Sequence, residues 1–161
     1  MSRRAGLGTY AMGALTLRCT KMMAGQTSDG EQLRAAMRAV SRSLREVHRI
    51  LIEVVATQLD PSRATLRDRV ALFQLVLTDP GFGWLRPMLQ LIAQIDELAA
   101  LADPPDAVEA TQIRLRIERM LAPSDDEDEF GSRYVTLLPL EPELAMAHAD
   151  LRAKLKTLPS A

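Results

Sequence analysis

His48 and His148 are the side chains here best suited to ligate a metal or haem iron, and both lie near apolar helical seams. Two imidazoles on facing helices could hold an ion or a haem between them. The sequence around them does not supply the rest of such a site. It contains no Glu-x-x-His of the kind that di-iron bundles use, no His-Glu-x-x-His and no Cys-x-x-Cys. Each histidine therefore reads either as a satisfied boundary imidazole or as a group beside a ligand. Cys19 follows Arg18, whose charge favours a thiolate, but no histidine stands near it in sequence to complete a dyad. Asp96 and Glu97 are adjacent, so on a helix they diverge by roughly 100° and do not converge on one proton. Gly-x-Ser-x-Gly, a phosphate-binding glycine loop and a dinucleotide fingerprint are all missing. The sequence thus offers no catalytic residue, no metal ligand set and no cofactor motif, and a non-enzymatic role is the expectation.

Two other features remain. The first is Asp79-Pro80-Gly81-Phe82-Gly83-Trp84-Leu85-Arg86-Pro87, which carries the only tryptophan between two strongly apolar helical runs. Asp79 suits an N-cap and Pro80 the first position of a short turn, while Pro87 should hold Arg86 extended and open the next helix. Either Phe82 and Trp84 plug the end of a bundle, or Phe82, Trp84 and Arg86 form a surface contact for a partner or ligand. In the plugged version Arg86 pairs with Asp96 or Glu97. The second feature is a basic stripe of Arg34, Arg38, Arg42, Arg45 and Arg49, which fall within about 80° of arc on one helix. It reads as a solvated face supported by Glu46 and Glu53, or as a surface that tracks phosphates.

The elements that must position these residues are helices. Leu33, Met37, Val40, Leu44, Val47, Leu51 and Val54 recur at alternating spacings of four and three, an apolar seam over Glu31 to Leu59. Asp29 suits its N-cap and Asp60-Pro61 its stop. A second helix is expected over Ala64 to Leu77, apolar around most of its circumference. A third follows Pro87 with Met88, Leu91, Ile92, Ile95, Leu98 and Ala99 inward. Asp106 caps a fourth that buries Ile113, Ile117, Met120 and Leu121. After the acidic run at 124–129, a short fifth helix places Phe130, Tyr134 and Leu137 or Leu138 inward. The last helix, from Glu141-Pro142, carries Leu144, His148, Leu151, Leu155 and Leu158 in a seam where a leucine would fit at His148. No alternating β-branched run competes. The expected fold is an all-α bundle of five to six mostly antiparallel helices.

The chain has 161 residues, and only 4% are aromatic, so aliphatic side chains must fill the core. Residues 1–28 hold Arg3, Arg4, Arg18 and Lys21 and no acid, and read as a basic, flexible tail before a single domain over 29–161. No cleavage site follows the twin arginines closely enough for an export signal. One cysteine excludes an internal disulfide and fits a reducing, cytoplasmic setting, and no stretch is long and apolar enough to span a membrane. Residues 1–72 carry twelve basic against six acidic side chains, and residues 73–161 carry eight against fifteen. Such halves attract one another within one fold or between subunits.

Leu75 to Glu97, LVLTDPGFGWLRPMLQLIAQIDE, resembles a block found in a family of small all-helical bacterial proteins. In that family an aromatic often stands at the position of Gly81 and a small residue at that of Gly83. The segment from Phe130 to Leu155 resembles the same family, and the likeness covers the chain from about residue 31 onward. It implies a bacterial, all-helical protein and brings no activity, cofactor or site. The first expectation for function is a helical domain acting through a protein partner or self-association. The alternatives are a bundle that binds a small molecule, metal or haem near Trp84 and a histidine, and a nucleic-acid-associated protein using the arginine stripe. Nucleic acid and membrane are not expected partners.

Overall fold

The seam that begins at Leu33 becomes the axis of the structure. The computed structural model describes the backbone of residues 11–59, 76, 78–123 and 129–160, and side chains from residue 29 onward except that of Glu129. Helix α1 spans Ala11–Leu59, and a 3-10 turn spans Pro80–Leu85. Then follow α2 (Arg86–Ala100), α3 (Ala107–Leu121), α4 (Glu129–Leu137) and α5 (Pro142–Leu155). No strand occurs among the described residues. The fold is an all-α bundle, as the sequence pattern predicts. The helix expected over Ala64 to Leu77 lies outside the described residues, apart from Val76, which packs partly buried against the core. The acidic run lies outside them too, except that Glu129 opens α4.

Two neighbours run antiparallel to α1, one on each flank. Toward α2, Ser41 Oγ donates to Asp96 at 2.7 Å, Arg45 pairs with the same carboxylate, and Arg38 reaches the Ala99 carbonyl at 3.1 Å. Toward α5, Ser43 Oγ donates to Asp150 at 2.6 Å and Arg49 to Glu143 at 2.7 Å. Ser41 and Ser43 are both buried, so each of these hydroxyls needs its partner and fixes a register between helices. Between the flanks, Met37, Val40, Leu44, Val47 and Leu51 are completely buried.

The seam departs from the expected one at its end. Val54 is half-buried and Val55 takes its place in the core. A four-three alternation repeats every seven residues and drifts by about 20° per heptad on a straight helix. Three heptads from Leu33, the neighbouring position faces the core better.

α1 also starts earlier than the pattern suggests. It runs through Asp29 to Ala11, so Asp29 is an interior residue and not its N-cap. Ala11 to Gln26 is rich in Ala, Leu, Met, Arg and Lys, all strong helix formers, and contains no proline. Gly30 lies inside this helix and is buried against the linker between α2 and α3: a Cβ there would stand 2.7 Å from Pro104 Cγ. α3 begins with a full capping box, in which Asp106 accepts from the Glu109 N–H at 2.8 Å and Glu109 accepts from the Asp106 N–H at 3.0 Å.

Candidate functional site

The Asp79–Pro87 corner is a tight capped turn. Asp79 is extended, its carboxylate accepts from the Gly81 N–H at 2.8 Å, and its carbonyl accepts from the Phe82 N–H at 3.1 Å. Pro80 occupies the first helical position, where its missing N–H costs nothing. This geometry drives Phe82, Trp84 and Leu85 into the core, where they keep 1%, 4% and 1% of their exposure. Of the two readings of Trp84, the plug is the one that its burial matches.

Arg86 differs from expectation twice. It is helical, at φ −56° and ψ −40°, and not extended. The turn runs directly into α2, so packing of the three buried side chains overrides the bias that a following proline imposes. Nor does Arg86 pair with Asp96 or Glu97. It is exposed, and Asp96 is already held by Ser41 and Arg45.

A file of rings leads away from the corner. Trp84 meets Phe130 of α4 at 5.5 Å between centroids, and Phe130 stacks on Tyr134 at 5.6 Å. The Tyr134 ring then lies 5.8 Å from that of His148, whose Nδ1 is 2.7 Å from the tyrosine hydroxyl. A neutral imidazole with its proton on Nε2 accepts from the phenol here, and one with its proton on Nδ1 donates to the phenol oxygen. Burial raises the Tyr134 hydroxyl well above the ordinary range for a phenol. His148 is held below its usual value by burial and then by the charge of Arg152.

Beside Trp84 opens a cavity of about 480 Å³ between the end of α1, the turn and α4. Val55, Leu59 and Leu137 form apolar walls, and Gln58, Ser132 and Thr136 add polar groups. The Arg133 guanidinium lies 5.7 Å from the centre of the Trp84 ring, close enough for a cation–π contact. Gly81 also borders the cavity; a Cβ there would come within 3.1 Å of both Leu59 Cδ1 and Asp79 Oδ1. The absence of a side chain lets the turn sit against the end of α1. The Trp84 indole N–H is buried and finds no acceptor among the described residues. Such an unpaired donor costs on the order of 1–3 kcal/mol, a penalty that native folds rarely carry without a reason.

No protein-family model, curated protein or solved structure matches the chain.

The remaining sequence candidates are not gathered at this cavity. His48 lies in a separate groove with Arg45, Arg49, Ile52, Leu89 and Ile92, and burial lowers its pKa. His148 sits beside Tyr134, and the two imidazoles do not meet. No group of three or more potential metal ligands forms among the described residues. Cys19 falls within α1, where only the backbone is described.

The arginine stripe is divided between the flanks of α1. Arg34 donates to the Leu101 and Ala102 carbonyls at 2.9 and 3.1 Å, and with Arg38 it satisfies the carboxyl end of α2. Arg45 pairs with Asp96. Arg49 grips Glu46, Glu53 and Glu143, which together hold its guanidinium firmly protonated. Arg42 lines a groove with Ser43, Glu46, Asp150 and Lys154.

Sequence reasoning found Trp84 but missed its cavity partners on α1 and α4. Ser132 and Thr136 are one helical turn apart, as are Val55 and Leu59. That spacing was readable, but nothing in the pattern says that α4 closes on the corner.

Proposed function

We propose that this protein is a non-enzymatic helical bundle that binds a small molecule in the cavity beside Trp84. The observation that carries the reading is the cavity itself, bordered by the Trp84 side chain. Its volume falls within the roughly 300–1,000 Å³ typical of small-molecule sites, and its lining mixes apolar walls with a few polar groups in the usual proportion. Phe82 and Trp84 are buried, which leaves them little surface to offer as anchors for a protein partner. A recessed cavity suits a small molecule better than a docked protein surface.

A neutral apolar fluorophore, N-phenyl-1-naphthylamine, tests this directly. Trp84 is the only tryptophan, so energy transfer from it reports binding at this corner. Saturable 1:1 binding is expected, with loss of at least about tenfold in affinity when Thr136→Trp fills the space. Circular dichroism should be unchanged by that substitution, because Thr136 is exposed. Absence of saturable binding, or equal binding by the filled variant, overturns the reading.

A further inference from the structure

Helix α5 is apolar on two opposite faces. Leu144, Leu151 and Leu155 are buried on the side that packs against the bundle. On the other side Pro142, Met146, Ala149 and Ala153 follow one another at spacings of four, three and four, within about 60° of arc. All four are exposed, and Met146, at 73%, is the most exposed large apolar side chain among those described. Leu140, just ahead of the helix, is exposed to 67%. One apolar face is enough to hold a flanking helix on its bundle, so the fold of a single copy leaves the second face unexplained.

Spacing and charge together name the partner. An alternation of four and three is the seam of a helix that packs along another helix. The ends of α5 carry opposite charge: Glu141 and Glu143 at its start, Arg152, Lys154 and Lys156 at its end. Laid antiparallel on a second α5, the acidic start of each lies beside the basic end of the other, and a two-fold axis makes that match twice. Parallel pairing would set like charges side by side. With the axis between Ala147 and His148, Met146 of each copy meets Ala149 of the other and Pro142 meets Ala153, so a larger side chain meets a smaller one in every layer. Asp150 lies near the axis, but Ser43 and Lys154 already hold it at 2.6 and 3.6 Å. The helix dipole accounts for the charged ends within one copy, but not for the apolar row between them. We infer that the outer face of α5 is a homodimer surface, on which a second copy of this chain packs its own α5 antiparallel about a two-fold axis. The surface is separate from the cavity beside Trp84 and does not depend on how that cavity is used.

A helix of 14 residues is only about 21 Å long, so the interface is small and the dimer weak. Sedimentation equilibrium of the full-length protein should show a reversible monomer–dimer equilibrium with a dissociation constant on the order of 10–100 µM. Met146→Glu should weaken it at least about tenfold by setting a charge in the apolar row. Circular dichroism should not change, because Met146 stands outside the core. Cross-linking tests the orientation. In a Cys19→Ser background, Pro142→Cys and Ala153→Cys proteins should form a mixed disulfide when combined. Neither should cross-link with itself, because the two copies of either position would stand about 16 Å apart along the helix axes. A protein that stays monomeric up to about 1 mM overturns the inference and leaves this face to a different protein. A dimer that Met146→Glu does not weaken overturns it as well, since the contact would then lie elsewhere. Self-cross-linking of Ala153→Cys in preference to the mixed disulfide overturns the antiparallel pairing.

Discussion

Tyr134 and Trp84 occupy the same file of rings and stand in opposite positions. The Tyr134 side chain is wholly buried, yet its hydroxyl has a partner in His148 at 2.7 Å; the Trp84 N–H has none among the described residues. The consequence for His148 runs against the seam in which it sits. By spacing alone a leucine belongs there, and His148→Leu would look harmless. Instead it strands a buried hydroxyl, so a loss of about 1–3 kcal/mol is expected in urea unfolding. Adding Tyr134→Phe removes the stranded group, and the double variant should recover most of that stability. A His148→Leu protein as stable as the parent would show that the Tyr134 hydroxyl finds water instead. The seam position was legible in the sequence. The partner was not, because Tyr134 lies on another helix and the pairing exists only once α4 and α5 fold back on one another.

At the scale of elements, helix faces were legible and helix ends less so. The inward positions of α2, α3 and α4 follow the sequence spacing closely: Met88, Leu91, Ile92 and Ile95, then Ile113 and Ile117, then Phe130 and Tyr134 are all buried. These positions are set by periodicity, which local sequence records. α1 shows what local sequence does not record. Asp29, with Gly30 after it, reads as a helix start, since aspartate favours the N-cap. The glycine is there for another reason, the approach of Pro104, seventy-four positions away in the chain. Gly30→Ala weighs two effects. Alanine gains roughly 0.5–1 kcal/mol of helix preference. Its Cβ would stand 2.7 and 2.8 Å from ring carbons of Pro104, which has no flexible end to move aside, and overpacking costs typically about 1–3 kcal/mol. Net destabilisation of about 1 kcal/mol is expected, read as a lower urea midpoint at unchanged slope. A stabilised variant would mean that the linker gives way freely.

At the scale of the whole molecule, four of the described basic side chains of the first half meet groups of the second. Arg45 and Arg49 of the basic half meet Asp96 and Glu143 of the acidic half, and Arg34 and Arg38 meet carbonyls at the end of α2. Exposed pairs of this kind contribute little singly and act mainly on the register of α1 against its flanks. The imidazoles affect stability differently, because both are shielded. His48 is held below its ordinary pKa by burial, in a groove it shares with Arg45, Arg49 and Glu53, and His148 by burial and then by Arg152. In the unfolded chain each takes up a proton near pH 6.5, while the native protein resists until a lower pH. The unfolded state therefore binds more protons below pH 6.5. Stability should be level above that value and fall as the solution is acidified, by at most about 1.4 kcal/mol per pH unit for His48 and by less for His148, which solvent partly screens. Glu46 belongs to a lower window. Its hydrogen bond with Arg49 depresses its pKa from 4.5, so its contribution is present above that value and disappears only below it. Urea midpoints at pH 7.5, 6.5 and 5.5 thus isolate the histidines from the carboxylates. His48→Leu, with Leu89 and Ile92 already in its groove, should flatten part of the decline, and Tyr134→Phe combined with His148→Leu should flatten the rest. A parent protein equally stable at pH 7.5 and 5.5 would show that both rings are open to water and that the aromatic file ends at Tyr134.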